Sequence, residues 1–310
     1  MRAVYDGIIG LAIGDALGVP VEFKTRMEIA KNPVVAMRAY GTHNQPMGTW
    51  SDDTSLTLAL LDSLASKGKI DYKDIMDRFS DWLLYSEYTA NGDVFDVGNS
   101  TRAAIINYGQ GRNPLECGGT SKYENGNGSL MRILPIAYYL SKNGNGTLES
   151  QMQIVHNISS LTHRHPISLI GCGIYINVAM KLLLDGKPLY QSVEQGIKEA
   201  YEYYKIKMSK YINAYHRLEN LELFLCLSDS DIQSSGYVVD TLEAALWCLL
   251  KTDSYKTCVL KAVNLGDDAD TVGAVAGGLA GIYYGIDNIP RDWIEVIAKR
   301  EYIKKLSEKL

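Results

Sequence analysis

The segment Gly266-Asp267-Asp268-Ala269-Asp270-Thr271-Val272-Gly273-Ala274-Val275-Ala276-Gly277-Gly278-Leu279-Ala280-Gly281-Ile282-Tyr283-Tyr284-Gly285 decides how the rest of the chain is read. From Ala269 to Tyr284 it reads as a helix, and from Val272 to Ala280 that helix is apolar and small-residue-rich on every face. A helix without a polar face is a buried, closely packed helix. Its acidic start is therefore buried too, or lines a cleft.

A second cluster of the same kind stands near the other end of the chain. Ser51-Asp52-Asp53-Thr54 opens an apolar helix running through Leu56–Leu64. Asp, Ser and Thr are ordinary N-cap and first-turn residues, and capping alone accounts for either cluster taken singly. Neither cluster, however, has a Lys or Arg within four residues. Buried carboxylates without basic partners need a cation. Hydroxyl and carboxylate ligands, with no Cys and no His-x-x-x-His nearby, suit Mg²⁺, Mn²⁺ or Ca²⁺ better than zinc. Four or five carboxylates suffice for two ions side by side.

Outward from these clusters the pattern is helical. Helices are expected over Tyr5–Leu17, Asp71–Tyr85 (with Asp71 as N-cap), Ser129–Leu140 (kinked by Pro135), Leu148–Leu161, Pro166–Leu184 and Tyr190–Tyr204. Further ones are expected over Lys207–Leu227, Val239–Leu250, Tyr255–Val263 and Arg291–Leu306. No strand-helix alternation marks a parallel sheet, so the fold class is all-α, an orthogonal bundle of about a dozen helices. Polar loops at Gly41–Gly48, Asn91–Gly98 and Gly109–Gly128 interrupt the helices and are where a site belongs. No composition shift divides the 310 residues, and Leu227–Gly236 reads as a loop inside a single domain over 1–310.

Composition narrows the function classes. The chain is 46% hydrophobic and 22% charged, with a net charge of −5, which excludes a disordered chain and argues against a general binder of nucleic acid or anionic membranes. Eight prolines and no long alternating runs point away from a β-sandwich or barrel. The five cysteines, with no C-x-x-C pair, read as buried thiols of a reducing compartment. An acid at Asp6 sits where the apolar core of a secretion signal would begin, and the apolar run Leu169–Leu184 is short for a membrane span. A soluble, cytoplasmic protein is expected, and the lack of coiled-coil heptads favours a monomer.

Three weaker signals complete the reading. In Gly14-Asp15-Ala16-Leu17-Gly18-Val19-Pro20-Val21-Glu22 an apolar helix carries one acid and ends in a turn with another. Asn125-Gly126-Asn127-Gly128-Ser129-Leu130-Met131-Arg132 is a glycine loop able to present N–H groups to a phosphate or sugar. Leu161-Thr162-His163-Arg164-His165-Pro166 holds two histidines that do not share a helix face.

In this order, these segments resemble the ADP-ribosylglycohydrolase family. The resemblance runs from GIIGLAIGDALGVPVE (7–22) through GTHNQPMGTWSDDT (41–54), FDVGNST (95–101), NGNGSLMR (125–132), LTHRHP (161–166) and GYVVDTLEAALWCL (236–249) to the segment at 266–285. It implies an all-α hydrolase with two divalent cations, Mg²⁺ or Mn²⁺, acting on ADP-ribose or ADP-ribosylated proteins. The implied metal ligands are Ser51, Asp52, Asp53, Asp268, Asp270 and Thr271. Ser51 stands where many members have Thr, and Asp267 stands where several have Gly and is left outside the ligand set. Glu22 matches an active-site glutamate, with Asp53 and Asp270 as the other candidates for the base. Asn127, Gly128, Ser129 and Met131 match the loop holding ribose and diphosphate, and His163 matches a histidine beside the diphosphate. Asp96 matches a position of bacterial members that act on ADP-ribosyl-arginine, where a carboxylate suits the planar guanidinium. A catalytically inactive ADP-ribose-binding or structural protein of the same fold is the alternative. A prenyl-diphosphate enzyme does not fit, because Asp52-Asp53 and Asp267-Asp268 lack the D-D-x-x-D spacing.

Overall fold

In the computed structural model, the helix at the centre of the sequence argument spans Ala269–Tyr284 and is buried from Ala269 to Ile282. Residues 3–143 and 146–310 are described; Met1 and Arg2, part of the stretch read against a secretion signal, lie outside the described residues. Among the described residues there are sixteen α-helices and no strand. They are α1 (Val4–Gly18), α2 (Arg26–Lys31), α3 (Asp52–Lys67), α4 (Tyr72–Tyr85), α5 (Asn99–Gly109), α6 (Pro135–Asn143), α7 (Leu148–Ser160) and α8 (Pro166–Leu184). The second half adds α9 (Leu189–Lys207), α10 (Ser209–Ile212), α11 (Leu221–Leu225), α12 (Val238–Leu250), α13 (Tyr255–Val263), α14 (Ala269–Tyr284), α15 (Arg291–Val296) and α16 (Arg300–Ser307). The all-α class expected from periodicity is what the chain adopts.

Helices α1 and α14 are packed backbone against backbone. A Cβ placed on Gly10 would stand 2.5 Å from the Gly277 carbonyl oxygen, and Gly14 and Gly273 would each run into the other's carbonyl. One turn further on, Gly18 lies directly against the backbone of Asp270. Glycine inside a helix costs roughly 0.5–1 kcal/mol relative to alanine. Here that cost is offset by an approach no side chain would allow, and it brings the C-terminal end of α1 against the N-terminal end of α14. The third polar-faceless helix, α8, is long and apolar enough to cross a membrane by composition, and is buried against α7, α9, α12 and α14.

Several expected elements differ in detail. Lys207–Leu227 is not one helix: α10, a 3₁₀ segment over Asn213–Glu219 and α11 follow one another. Tyr215 leaves helical geometry there to bury its ring and donate to the Ile167 carbonyl (2.9 Å), and Asn220 starts α11 by capping the Leu223 N–H. Arg291–Leu306 is split into α15 and α16 because Ile297 is extended and Lys299 left-handed, with the Ala298 N–H bonded to the Gly48 carbonyl (3.0 Å). Pro135 starts α6 rather than kinking a longer helix, since proline fits a first turn where no N–H is needed. Two helices were not expected: α2, announced by a Thr25/Glu28 capping box, and α5. Cys226, read as buried, is exposed just after α11, whereas the other four thiols are buried.

Substituting Gly14→Ala should lower stability to urea by roughly 1–3 kcal/mol, the usual cost of overpacking. Gly109→Ala, with nothing within 4 Å of its Cβ, should leave stability unchanged or slightly raised. Equal unfolding midpoints for Gly14→Ala and the parent would contradict the backbone contact.

Candidate active site

The N-terminus of α3 is capped from another helix. Asp15, fully buried on α1, accepts from the Ser51 N–H at 2.9 and 3.1 Å, from the Thr54 N–H at 3.1 Å and from the Thr54 hydroxyl at 2.6 Å. Free N–H groups and a partial positive charge at a helix start favour a carboxylate there. With Asp15 in that role and Ser51 Oγ accepting from the Asp53 N–H (3.3 Å), the side chains of Asp52 and Asp53 are not consumed in capping.

The start of α14 shows the same economy. Asp268 occupies the N-cap position without making a capping bond, and accepts instead from Asn127 Nδ2 at 2.8 Å. The Thr271 hydroxyl lies 3.3 Å from Asp53 Oδ2, and the Ser51 hydroxyl donates to the same oxygen at 3.0 Å. The two clusters, more than two hundred residues apart in sequence, therefore meet at Asp53. Glu22, on the turn after α1, and Asp96, on the loop before α5, close the group from above. Ligand oxygens of Glu22, Asp268 and Asp270 lie within 4.8 Å of one another, as do those of Asp52, Asp53 and Asp96. Glu22 is clamped by the 3₁₀ turn Gly41–His43: Thr42 donates to its carbonyl (2.7 Å) and His43 Nε2 pairs with its Oε2.

Burial first, and for most of them repulsion from neighbouring acids second, shifts every acid of the group upward. Burial and the neighbouring Asp96 and Asp268 push Glu22 up to about 10. Burial raises Asp15 to about 7 despite its hydrogen bonds. Asp52, Asp53 and Asp270 are raised well above the carboxylate range, and Asp96 and Asp268 are raised too, in each case chiefly by burial. No Lys or Arg is paired with Asp52, Asp53, Asp268 or Asp270 among the described residues. Asp53 Oδ1 and Asp270 Oδ2 are buried with no hydrogen-bond partner. Orphaned buried carboxylate oxygens, beside hydroxyls from Ser51 and Thr271, fit hard divalent cations.

Above the acids lies a cleft of about 390 Å³. Glu22, Asp52, Asp96, Asn127, Gly128, Met131, His163, Asp268 and Thr271 line it, as the sequence reading grouped them. Ser51, Asp53 and Asp270 are buried beneath its floor. Ser129 departs from expectation: its hydroxyl turns into the core, 2.9 Å from Ser159 Oγ and 3.4 Å from Cys172 Sγ, so its side chain does not face the cleft. The glycine loop is pinned to the start of α12, with the Asn127 N–H on the Gly236 carbonyl and the Val238 N–H on the Asn125 carbonyl, both at 3.0 Å. Asp15 and His43 were missed as site residues. An acid in an otherwise apolar, glycine-rich helix was a usable signal for Asp15, whereas nothing in the spacing of His43 pointed to Glu22.

An all-helical scaffold whose two acidic helix starts converge under a cleft defines a site that could hold a cation rather than a named activity. The family model for ADP-ribosylglycohydrolase matches residues 2–310. An ADP-ribosylarginine hydrolase, Tri1, of Serratia proteamaculans is 34% identical over 303 residues, covering 98% of this chain and 77% of that protein. The ADP-ribosyl-[dinitrogen reductase] glycohydrolase of Rhodospirillum rubrum is 33% identical over 298 residues, covering 92% of this chain and 87% of that protein. A solved structure described as an ADP-ribosylglycohydrolase-related protein complex superposes with a TM-score of 0.79 at 30% identity, over 99% of this chain and 95% of that one. The chain belongs to the ADP-ribosylglycohydrolase family.

The raised acids set the pH dependence of the cation-free protein. Asp15 and Glu22 bind protons more tightly folded than unfolded, so the stability they contribute is complete below about pH 4 and is lost as pH rises through about 7 and towards 10. Divalent cations would compete with protons on Asp52, Asp53, Asp268 and Asp270, which are raised as well, so their stabilising effect should grow with pH. At one fixed concentration, a hundredfold above the neutral-pH Kd, Mg²⁺ or Mn²⁺ should raise Tm by roughly 5 °C near neutral pH and by less at pH 5, where Kd is weaker. A cation effect that is absent, or larger at pH 5, would contradict this arrangement.

Proposed function

We propose that this protein is a metal-dependent hydrolase that removes ADP-ribose from arginine side chains by cleaving the bond between ribosyl C1″ and the guanidine nitrogen. The observation that carries the proposal is the meeting of two acidic helix starts, with two orphaned buried oxygens, under a cleft in a chain of this family. Ser51, Asp52, Asp53, Asp268, Asp270 and Thr271 would hold two Mg²⁺ or Mn²⁺ ions. Bound there, such ions supply electrophilic assistance to the ribose hydroxyls and to a water.

The chain's own residues do the rest. Of the three candidates for the base, Glu22 alone faces the cleft, while Asp53 and Asp270 are fully buried below it. That difference supports Glu22 as the proton carrier. Water adds to C1″ as the C1″–N bond breaks through an oxocarbenium-like state; the water proton passes to the Glu22 carboxylate, which the charge of the bound cations would keep ionised although burial raises it, and that proton is handed on to the departing nitrogen, which keeps the bonding pair. His43, paired with Glu22 Oε2, fixes the direction of that carboxylate. Asp96, held at the cleft edge in a left-handed conformation (φ 54°), presents a carboxylate to the departing guanidinium. Asn127, Gly128, Met131 and His163 form the wall for ribose and diphosphate. The arginine-directed names of similar proteins, including Tri1 of Pseudomonas putida at 34% identity, favour this linkage over others. The proposal places the enzyme in the cytoplasm as a monomer acting on ADP-ribosylated protein; its free, mostly buried thiols suit a reducing compartment.

Incubation of the Mg²⁺- or Mn²⁺-loaded protein with ADP-ribosyl-arginine should release free ADP-ribose, and EDTA should stop it. Glu22→Gln should lower kcat about 10²–10⁴-fold, the usual contribution of a general base, with Mn²⁺ binding retained. Asp96→Ala should slow the arginine substrate selectively. No release by the loaded parent protein, despite ADP-ribose binding, would instead make it a binding protein of the same fold.

A further inference from the structure

His163 stands at the cleft end of a hydrogen-bond chain that begins on a buried arginine. Arg132 is fully buried, with its guanidinium stacked on the Phe79 ring at 4.8 Å. Among the described residues it has no acidic partner, and its Nε and Nη1 make no hydrogen bond. Its Nη2 donates to Thr162 Oγ1 at 2.6 Å and approaches the Ile158 carbonyl at 3.4 Å. Thr162 Oγ1 in turn lies 2.9 Å from His163 Nδ1.

The directions of these bonds follow from donor chemistry. A guanidinium only donates, so Thr162 Oγ1 accepts from Arg132. Thr162 is itself buried, and His163 Nδ1 is the one acceptor left for its hydroxyl hydrogen among the described residues. A buried O–H without an acceptor carries its full desolvation cost, so Thr162 donates to Nδ1. Burial and the Arg132 charge also push His163 down to about 3, so the ring is neutral with one N–H. That N–H is then on Nε2. The Nε2 edge lies against the glycine loop: a Cβ on Gly128 would stand 3.4 Å from Nε2, and one on Gly126 3.5 Å. No protein group among the described residues bonds to Nε2.

We propose that Arg132 and Thr162 are positioning residues that lock His163 in the Nε2–H tautomer, so that the cleft wall offers a permanent donor to an anionic oxygen of the substrate diphosphate. The uncompensated charge of Arg132 behind the ring selects an anion at this end, while the acids occupy the other. In ADP-ribose the anionic oxygens are those of the diphosphate. This inference rests on reading the cleft as an ADP-ribose site.

The test is ¹⁵N NMR of the imidazole of His163 in the full-length protein, combined with calorimetric titration of ADP-ribose, ADP and adenosine. The parent and Thr162→Ser, which keeps the hydroxyl, should show Nε2–H alone. Thr162→Val should admit the Nδ1–H form and weaken ADP-ribose and ADP about tenfold, the effect of one lost hydrogen bond to a charged group, with adenosine unaffected. On hydrolysis it should raise KM and leave kcat unchanged, whereas a merely structural defect would lower both activity and the active fraction. An Nδ1–H tautomer in the parent overturns the proposal even if Thr162→Val does not fold. So does a Thr162→Val protein with unchanged tautomer and affinity. A parent protein that shows Nε2–H but binds no ADP-ribose would overturn the assignment of the anion and the proposed function together, and leave the relay standing.

Discussion

Everything at the site depends on the contact between α1 and α14, where glycines let two backbones touch. With side chains of ordinary size between them, the helix axes would stand further apart. The start of α14, with Asp268, Asp270 and Thr271, would then move away from the turn that carries Glu22. Because α1 also carries Asp15, which caps α3, the same contact sets where Ser51, Asp52 and Asp53 lie. Three helices are thus referred to one glycine seam, and six candidate ligands inherit their positions from it.

That seam also explains why the acids are so strongly perturbed. Close packing excludes water from the floor of the cleft, and carboxylates that water would have solvated are left with one another. Asp15 is the instructive contrast. It is as deeply buried as Asp53 but spends its charge on four hydrogen bonds from the start of α3, whereas Asp53 and Asp270 each keep an oxygen without a partner. One acid is structural because its donors are supplied by the protein; the other two lack such donors and suit a cation. The glycine loop and His163 add the opposite polarity, so one cleft offers carboxylates at one end and donors at the other.

Much of this was legible in the sequence for a physical reason. A helix without a polar face must be buried, so acids at its first turn cannot be freely solvated. The pairing of Ser51-Asp52-Asp53 with Asp268-Ala269-Asp270-Thr271 followed from shared chemistry and was met by the geometry. What was not legible depended on long-range packing. The inward turn of Ser129 is set by Ser159 and Cys172, far along the chain. The break of Lys207–Leu227 is set by Tyr215 reaching the Ile167 carbonyl, and the clamp of His43 on Glu22 by a loop without periodicity. Helix α5 was missed because Asn99-Ser100-Thr101 opens it with residues of low helix propensity after a glycine.

In the proposed function, the glycine seam assembles one binuclear cation centre from both helix starts. Anomalous diffraction from crystals soaked in Mn²⁺ tests it most directly. Two manganese peaks are expected, side by side, contacted by oxygens from Asp52 or Asp53 on one helix and from Asp268 or Asp270 on the other. A cleft without manganese, or manganese bound away from one of the two helix starts, would contradict it.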